Sequence, residues 1–116
     1  MSHNSVLPVN STVSGTLTTN DAYEFRGGGG YYYDDYLLLN VVPGDSISVS
    51  LNSQSFDTWL AIYDYDTGSL LFSDNNGGFG TNSQLTFTPQ VGDQYIVSVS
   101  TVGSNSTGYY NISAYS

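Results

Sequence analysis

The chain has 116 residues, of which 39% are hydrophobic and 15% aromatic, which fits one domain with a single core. Ten carboxylates against a single basic residue other than His give a formal net charge of −9, which argues against nucleic acids and anionic membranes as partners. The absence of Cys excludes disulfides and thiol nucleophiles, and no apolar run approaches the ~20 residues of a membrane-spanning helix.

The first third of the chain contains a polar segment and a short strand pattern. Residues 1–12 include Pro8 and lack periodicity, so we expect a flexible arm or the remnant of a linker. Residues 13–17 alternate apolar and polar side chains, which predicts a strand. The four glycines at 27–30 are not accompanied by the Lys of a phosphate-binding loop and predict a surface loop.

The middle of the chain predicts two hairpins. In the first, residues 37–42 and 47–51 flank the turn around Gly44. In the second, residues 56–63 and 70–74 flank a turn that ends at Gly68. This turn imitates the start of an EF-hand loop but lacks its closing Glu, so we expect an ordinary hairpin turn.

Eight or nine short strand patterns can be counted, and no segment keeps a helical spacing over three turns. We therefore predict an all-β fold: an antiparallel, jelly-roll-like β-sandwich formed by one domain, residues 13–116. The predicted core consists of apolar residues from these strands: Leu17, Leu37, Leu39, Ile47, Val49, Leu51, Leu60, Ile62, Leu71, Leu85, Phe87, Tyr95, Val97, Val99 and Ile112.

Several short motifs follow one another along nearly the whole chain. They are Phe56-Asp57-Thr58-x-Leu60, Asp66-Thr67-Gly68, Asp74-Asn75-Asn76, Asn82-Ser83-x-Leu85-Thr86-Phe87, Gly92-x-x-Tyr95 and Gly108-x-Tyr110. In order and spacing they resemble the bacterial pre-peptidase C-terminal domain. The resemblance implies a jelly-roll sandwich without catalytic residues, appended to secreted peptidases or other extracellular proteins. It also implies calcium binding, which several relatives show, and collagen binding, which some relatives in bacterial collagenases show.

The sequence departs from that family in features that concern ligands. The acidic motif that usually reads Asn-Asp-Asp is Asp74-Asn75-Asn76 here, which lowers the negative charge of the loop. Collagen-binding relatives carry tyrosines on the penultimate strand, where this chain has residues 97–101 with none. Residues 1–14 also lack the acidic side chains that supply calcium ligands in those relatives. Collagen binding is therefore not predicted.

Two acidic clusters are candidate calcium sites, because calcium takes six to eight oxygen ligands with tolerant geometry. The resemblance favours Asp21, Asp34 and Asp35. Antiparallel pairing of the second hairpin favours Asp57 with Asp74, Asn75 and Asn76, since it brings the start of one strand near the end of the next. The alternative is that these side chains cap turns by accepting backbone N–H groups.

Aromatic residues form a candidate ligand-binding surface. If Leu60 and Ile62 point inward, the two-residue period of a strand places Trp59, Tyr63 and Tyr65 on the opposite face. We expect Tyr31, Tyr32 and Tyr33 to add a nearby aromatic loop. Such rings stack on sugars or anchor protein partners, although tyrosines also cover sandwich faces for strand propensity alone.

Little in the sequence supports catalysis. His3 is the only His and lies in the predicted arm, so a Ser/His/Asp triad has no base. We therefore predict a non-catalytic, calcium-binding accessory module, extracellular or at the cell surface, with a protein or polysaccharide partner. The alternatives are an assembly subunit of a surface layer or filament, in which residues 1–12 are donated to a neighbour, and a carbohydrate-binding module.

Overall fold

The structure, a computed structural model, describes residues 5–19, 21–26, 29–74, 82–103 and 105–116. These residues form ten strands: β1 (Ser5–Pro8), β2 (Ser11–Leu17), β3 (Ala22–Arg26), β4 (Gly29–Leu39), β5 (Ile47–Asn52), β6 (Thr58–Asp64), β7 (Leu70–Asp74), β8 (Ser83–Phe87), β9 (Tyr95–Thr101) and β10 (Gly108–Tyr115). Within these ranges there is no helix long and apolar enough to cross a membrane.

The strands form two sheets. The six-stranded sheet has the order β1-β4-β9-β6-β7, with β3 also paired to β4, and the four-stranded sheet has the order β2-β10-β5-β8. The pairs are antiparallel except β1 with β4, which run parallel. The predicted all-β sandwich is confirmed, with ten strands instead of eight or nine.

The core lies between the inner faces of the two sheets. Alternate residues Ile47, Val49 and Leu51 of β5 are almost completely buried, as their alternation with serines predicts. Leu60 and Ile62 of β6 are equally buried and face them from the six-stranded sheet. Burying each such side chain contributes about 1.5–3 kcal/mol to folding.

Three predicted core residues lie elsewhere. In β4 the inward residues are Tyr36 and Leu38, so Leu37 and Leu39 lie on the opposite face and are only partly buried. A run of three leucines has no alternation from which this phase can be predicted. Leu71 is 40% exposed because β7 is the last strand of its sheet.

Strand β1 differs from the flexible arm expected for residues 1–12. Residues 5–8 pair with residues 36–39 of β4, and the side chain of Leu7 is completely buried in the core. The backbone N–H of Val9 extends this contact by donating to the Leu39 carbonyl at 2.9 Å. A strand of four residues with one inward apolar side chain gives too short a pattern to be distinguished from a polar linker.

Strand β9 lies at the centre of the six-stranded sheet and is buried along its whole length. Its inward residues Val97 and Val99 belong to the core, while Ser98 and Ser100 alternate with them and lie on the outer face. These two serines are 3% and 0% exposed. Larger side chains on the neighbouring strands therefore cover the middle of the outer face.

Candidate functional site

The outer face of the six-stranded sheet has a floor of small residues between aromatic walls. Ser98 of β9 lies between Asp35 of β4 and Ala61 of β6 in the strand register. Continuing this register places Ser100 between Tyr33 and Trp59. Because the floor residues are short, longer side chains on β4 and β6 rise above them, and Ser100 is completely covered.

Towards Ser98 and Ile96, the same face opens into a pocket of about 300 Å³. We call it the outer-face pocket; its lining consists of Glu24, Tyr33, Asp35, Tyr63, Asp64, Tyr65, Gly68, Ile96 and Ser98. Three of these are tyrosines and three are carboxylates, contributed by β3, β4, β6 and the turn that follows β6. The pocket therefore combines aromatic walls with negative charge.

The turn after β6 holds one rim of the pocket in place. Asp64 Oδ1 accepts the backbone N–H groups of Asp66 at 2.8 Å and Thr67 at 3.2 Å. Gly68 has a φ of 73°, a conformation that favours glycine, and its N–H donates to the Asp64 carbonyl at 2.8 Å. These contacts form the hairpin turn predicted from the sequence.

The predicted aromatic residues separate into three groups. Tyr33, Tyr63 and Tyr65 line the outer-face pocket. Trp59 and Tyr31 lie on the same sheet face but outside the pocket. Tyr31 is two residues from Tyr33 along β4, and Trp59 is four residues from Tyr63 along β6, so both spacings are even. Tyr32 alternates with Tyr33 and packs instead against Tyr23, with ring centroids 4.7 Å apart.

Electrostatics reinforce the negative character of the pocket. Burial raises the pKa of Tyr33, and the nearby charges of Asp35 and Glu24 raise it further. The phenol therefore stays neutral over the physiological range and keeps its ring available as an apolar wall.

A second polar cluster lies between the sheets. Tyr110 of β10 donates from its hydroxyl to Asp34 Oδ2 at 2.6 Å and is also hydrogen-bonded to the Tyr36 hydroxyl. The carboxyl groups of Asp34 and Asp21 share a hydrogen bond, and Asp21 Oδ2 accepts the Thr18 N–H at 2.7 Å. We call these four side chains, Asp21, Asp34, Tyr36 and Tyr110, the inter-sheet network.

The inter-sheet network holds a proton that a surface carboxyl would lose. Burial raises the pKa of Asp34 to about 7, the hydrogen bond from Asp21 adds to this rise, and the Tyr110 hydroxyl opposes it. Burial also raises the pKa of Tyr110 and of Tyr36. Two carboxyl groups in contact are most stable when one of them is protonated, because two adjacent charges repel.

The predicted first calcium cluster is therefore only partly assembled. Asp21 and Asp34 meet, but Asp35 points to the other face of β4 and lines the outer-face pocket. The two-residue period of a strand makes this separation unavoidable for adjacent residues.

Of the predicted second cluster, only Asp57 and Asp74 belong to the described residues, and they do not lie opposite each other. Asp74 pairs with Leu60, three residues beyond Asp57, which corresponds to about 10 Å along the strand. Asp74 Oδ2 accepts the Gln84 N–H at 3.0 Å, and Asp57 Oδ1 is buried with no hydrogen-bond partner among the described residues. Asn75 and Asn76 lie outside the described residues. Over the described ranges, no three acidic or His side chains are grouped closely enough to hold a metal ion.

The arrangement of the two sheets is similar to that of a solved structure. This solved structure is the 1.0 Å crystal structure of the pre-peptidase C-terminal domain of collagenase from Bacillus anthracis. The TM-score is 0.64 at 18% identity, and the match covers 95% of this chain and 92% of that chain. The chain has the fold of a pre-peptidase C-terminal domain. No family model matches the sequence, and no curated protein matches it.

The family resemblance read from the motifs is thus confirmed for the fold. Sequence reasoning missed Glu24 and Asp64 as pocket residues and Tyr36 and Tyr110 as partners of Asp34. These contacts depend on how β3, β6 and β10 are placed relative to β4, and no local pattern reports that placement. The one available signal was the alternation of Ser98 and Ser100 with valines, which marks a strand with two different faces.

A larger depression of about 620 Å³ lies on the four-stranded side of this pre-peptidase C-terminal fold. Its lining residues are uncharged: Ser14, Gly15, Asn52, Ser53, Gln54, Ser55, Asn82, Tyr109, Tyr110 and Asn111. Tyr109 is 75% exposed there, whereas Tyr110 is only 3% exposed. This surface gives the fold a second face, chemically distinct from the outer-face pocket.

Proposed function

We propose that the chain is a non-catalytic accessory module of an extracellular or cell-surface protein, and that it holds a partner polymer on the outer face of its six-stranded sheet. The observation that carries this proposal is the outer-face pocket, with three tyrosines around a floor of small residues. A collagenase from Bacillus anthracis has a pre-peptidase C-terminal domain of the same fold, which supports an accessory role. A surface rich in Ser, Thr and Asn and poor in Lys and Arg is consistent with an extracellular setting.

The placement of the perturbed carboxyl group supports a role without catalysis. Asp34 has its pKa raised to about 7, as a general acid would, but it lies in the inter-sheet network against Tyr36 and Tyr110. The carboxylate that reaches the outer-face pocket is its neighbour Asp35. A general acid must be within hydrogen-bond reach of the substrate, and Asp34 faces away from the surface on which a substrate would lie.

Retention on insoluble polymers tests the proposed function. The purified domain is sedimented with peptidoglycan, chitin, cellulose, elastin or collagen fibrils, and the bound fraction is measured against protein concentration. We expect retention on at least one polymer and a loss of affinity of about fivefold in Tyr65→Ala, which corresponds to ~1 kcal/mol for one stacking ring. Tyr65 is 51% exposed, so this substitution leaves the core intact.

The matched control is Tyr109→Ala, which removes an exposed ring from the four-stranded sheet. This variant should bind as the unsubstituted chain does. Retention that depends on Tyr109 and not on Tyr65 would move the binding surface to the uncharged depression, as in a carbohydrate-binding module. Retention on none of the polymers would contradict the proposed function.

We further infer that calcium binds at the inter-sheet network and stabilises the fold. The donor types fit calcium and not zinc, because Asp21, Asp34 and the Tyr110 hydroxyl offer oxygen only. A divalent ion would replace the proton that Asp34 retains and would cancel the repulsion between the two carboxylates. These residues supply part of a coordination shell, and backbone carbonyls and water would complete it.

Thermal melting with calcium and with a chelator tests this inference. At about 100 times its dissociation constant, calcium adds about 2.7 kcal/mol, which raises the melting temperature of a domain of this size by about 10 °C. The rise should disappear in Asp34→Ala and persist in Asp57→Ala. An unchanged melting temperature in the unsubstituted chain would contradict calcium binding, and loss of the rise only in Asp57→Ala would place the ion elsewhere.

A second candidate function, assembly into a surface layer or filament, is supported by β7. This edge strand carries three large apolar residues, Leu70, Leu71 and Phe72, that are 51%, 40% and 43% exposed. Proteins usually protect such edges with charge or Pro, because unpaired backbone groups accept a strand from another chain. In the described residues β7 pairs with β6 alone.

Light scattering after size-exclusion chromatography tests assembly. If β7 mediates self-association, the mass should rise with protein concentration and return to that of the monomer in Leu71→Lys, which places a charge on the edge. Val91→Lys, at a turn residue that is 86% exposed, is the control and should still assemble. A monomer at every concentration would contradict assembly through β7.

A further inference from the structure

We propose that the depression on the four-stranded side of the fold binds a short neutral saccharide or the free end of a neutral glycan chain. We call this depression the amide pocket, after the carboxamide groups of Asn52, Gln54, Asn82 and Asn111 in its lining. The amide pocket and the outer-face pocket belong to different sheets and share no described lining residue. The saccharide site therefore goes beyond the proposed function and is independent of it.

The amide pocket lies in an uncharged part of the molecule. Strands β2, β5, β8 and β10 contain no acidic or basic residue, although the whole chain carries a formal net charge of −9. The described lining of the pocket is likewise uncharged. An ionic group that entered it would lose water without gaining an opposite charge, whereas a neutral ligand has no such cost. We therefore expect a ligand without charge.

The carboxamides of the pocket have hydrogen-bonding capacity left for a ligand. Asn111 Oδ1 accepts the Ser14 hydroxyl at 2.6 Å, and Asn82 Oδ1 accepts a backbone N–H at 3.0 Å, so the amide nitrogen of each remains a donor. The side chains of Asn52 and Gln54 make no hydrogen bond within the described part of the chain, and each offers a donor and an acceptor. Saccharide hydroxyl groups donate and accept at once, which matches this set of groups.

The ring of Tyr109 supplies the apolar contact that a saccharide requires. Tyr109 is 75% exposed and lines the same pocket as the carboxamides. A sugar ring has an apolar C–H face and a polar rim of hydroxyl groups, so it can stack on the tyrosine while its rim contacts the amides. An acyclic polyol has the hydroxyl groups without the apolar face, and a small apolar ligand would leave the amides without partners.

Hydrogen bonds and close packing fix one border of the pocket. The Ser53 hydroxyl donates to the Tyr109 carbonyl at 2.6 Å and accepts the Ser55 N–H at 3.0 Å, which joins the segment after β5 to β10. A Cβ atom on Gly108 would lie 2.3 Å from the Cβ of Ser55, so the missing side chain permits this close approach. Binding therefore has to order few protein groups, which favours affinity.

The size of the pocket limits the length of the ligand. Its volume of about 620 Å³ falls within the range of small-molecule sites. Across the sheet, the strand register places Asn111 directly between Ser14 and Asn52, with about 5 Å from each strand to the next. A concave site of this size encloses a short saccharide or a chain end and does not fit the flat side of a fibre. Retention on insoluble polymers is therefore independent of Tyr109.

Amide chemical-shift mapping with soluble disaccharides tests the proposal. The probes are maltose, lactose and mannobiose, which present hydroxyl groups in three different configurations. The controls are sorbitol, which has hydroxyl groups but no ring, acetyl-Gly-Gly-Gly-amide, which has amides but no ring, and digalacturonate, which has sugar rings with charge. We expect at least one disaccharide to cause saturable shifts around Asn52, Ser55 and Asn111, and the three controls to cause none.

Variants locate the interaction. Tyr109→Ala should weaken binding of that disaccharide by about fivefold, and Tyr109→Phe should retain most of the affinity, because stacking requires the ring and not its hydroxyl. Asn52→Ala should weaken binding by about two- to tenfold, the effect of one hydrogen bond. Tyr115→Ala removes another exposed ring from the same face of β10, about 20 Å away along the strand, and should leave the affinity unchanged. Thermal melting verifies that all four variants are folded.

Several results would overturn the proposal. They are an absence of saturable shifts with all three disaccharides, shifts located around Tyr63 instead of Tyr109, equal shifts with any of the three controls, and equal weakening by Tyr115→Ala. Polymer retention that depends on Tyr65, without any disaccharide-induced shift, would refute only the saccharide site. Disaccharide-induced shifts around Tyr109, without retention on any polymer, would refute only the proposed function.

Discussion

Asp34→Asn should abolish a specific pH dependence of stability. The structure raises the pKa of Asp34 from 3.8 to about 7, mainly by burial, so the folded state holds a proton that the unfolded chain releases near pH 4. The resulting stabilisation is fully present below pH 4, declines as the pH rises, and is lost above about pH 7. This rise in pKa corresponds to about 4 kcal/mol for a group sealed from water, and partial exposure of Asp34 reduces it to about 1–2 kcal/mol.

The assay is urea unfolding of the unsubstituted chain and of Asp34→Asn in chelator, at several pH values from about 4.5 to about 8. Asn resembles the protonated carboxyl, so the difference in unfolding free energy between the two proteins should change by about 1–2 kcal/mol over this interval in the direction given above. Asp45→Asn controls for the general effect of net charge and should show no such change. A difference that is constant with pH would refute the shared proton in the inter-sheet network.

Three further substitutions test packing around the same structure. Leu7→Ala should lower the unfolding free energy by about 2–5 kcal/mol if β1 belongs to the core. Val6→Ala, at a residue that is 42% exposed, should lower it by less than about 1 kcal/mol. Equally small effects of the two substitutions would show that residues 5–8 are a loose arm. Gly15→Ala places a methyl group 2.5 Å from the Tyr110 hydroxyl and should cost about 1–3 kcal/mol by displacing that ring, so an unchanged urea midpoint would contradict the close approach. Tyr110→Phe leaves Asp34 and Tyr36 without their shared partner and should cost about 1–3 kcal/mol; a neutral effect would show that the network contributes nothing.

The fold was predictable because its strands alternate. Ile47, Val49 and Leu51 carry a two-residue period that identifies the inner face of β5 without knowledge of its neighbours. The same reasoning fails where local sequence has no period: three leucines in a row hide the phase of β4, and β1 is too short to show one. Tertiary pairing decides both cases, since burying Leu7 and Leu38 side by side fixes β1 against β4.

The candidate site was only half predictable. The outer-face placement of Trp59 and Tyr63 follows from the same period that buries Leu60 and Ile62. The acidic grouping could not be predicted, because proximity between Asp21 and Asp34 depends on the pairing of β3 with β4. Hairpin geometry placed Asp57 next to Asp74 only under an assumed register, and a shift of three residues separates them.

The claim that the outer face of the six-stranded sheet binds the partner is tested most directly by amide chemical-shift mapping. The domain, labelled with nitrogen-15, is titrated with a soluble fragment of whichever polymer retains it. If the partner binds this face, the shifts should be concentrated in β4, β6 and β9, around Tyr33 and Tyr63. Shifts concentrated in β2, β5 and β10, around Tyr109, would contradict it.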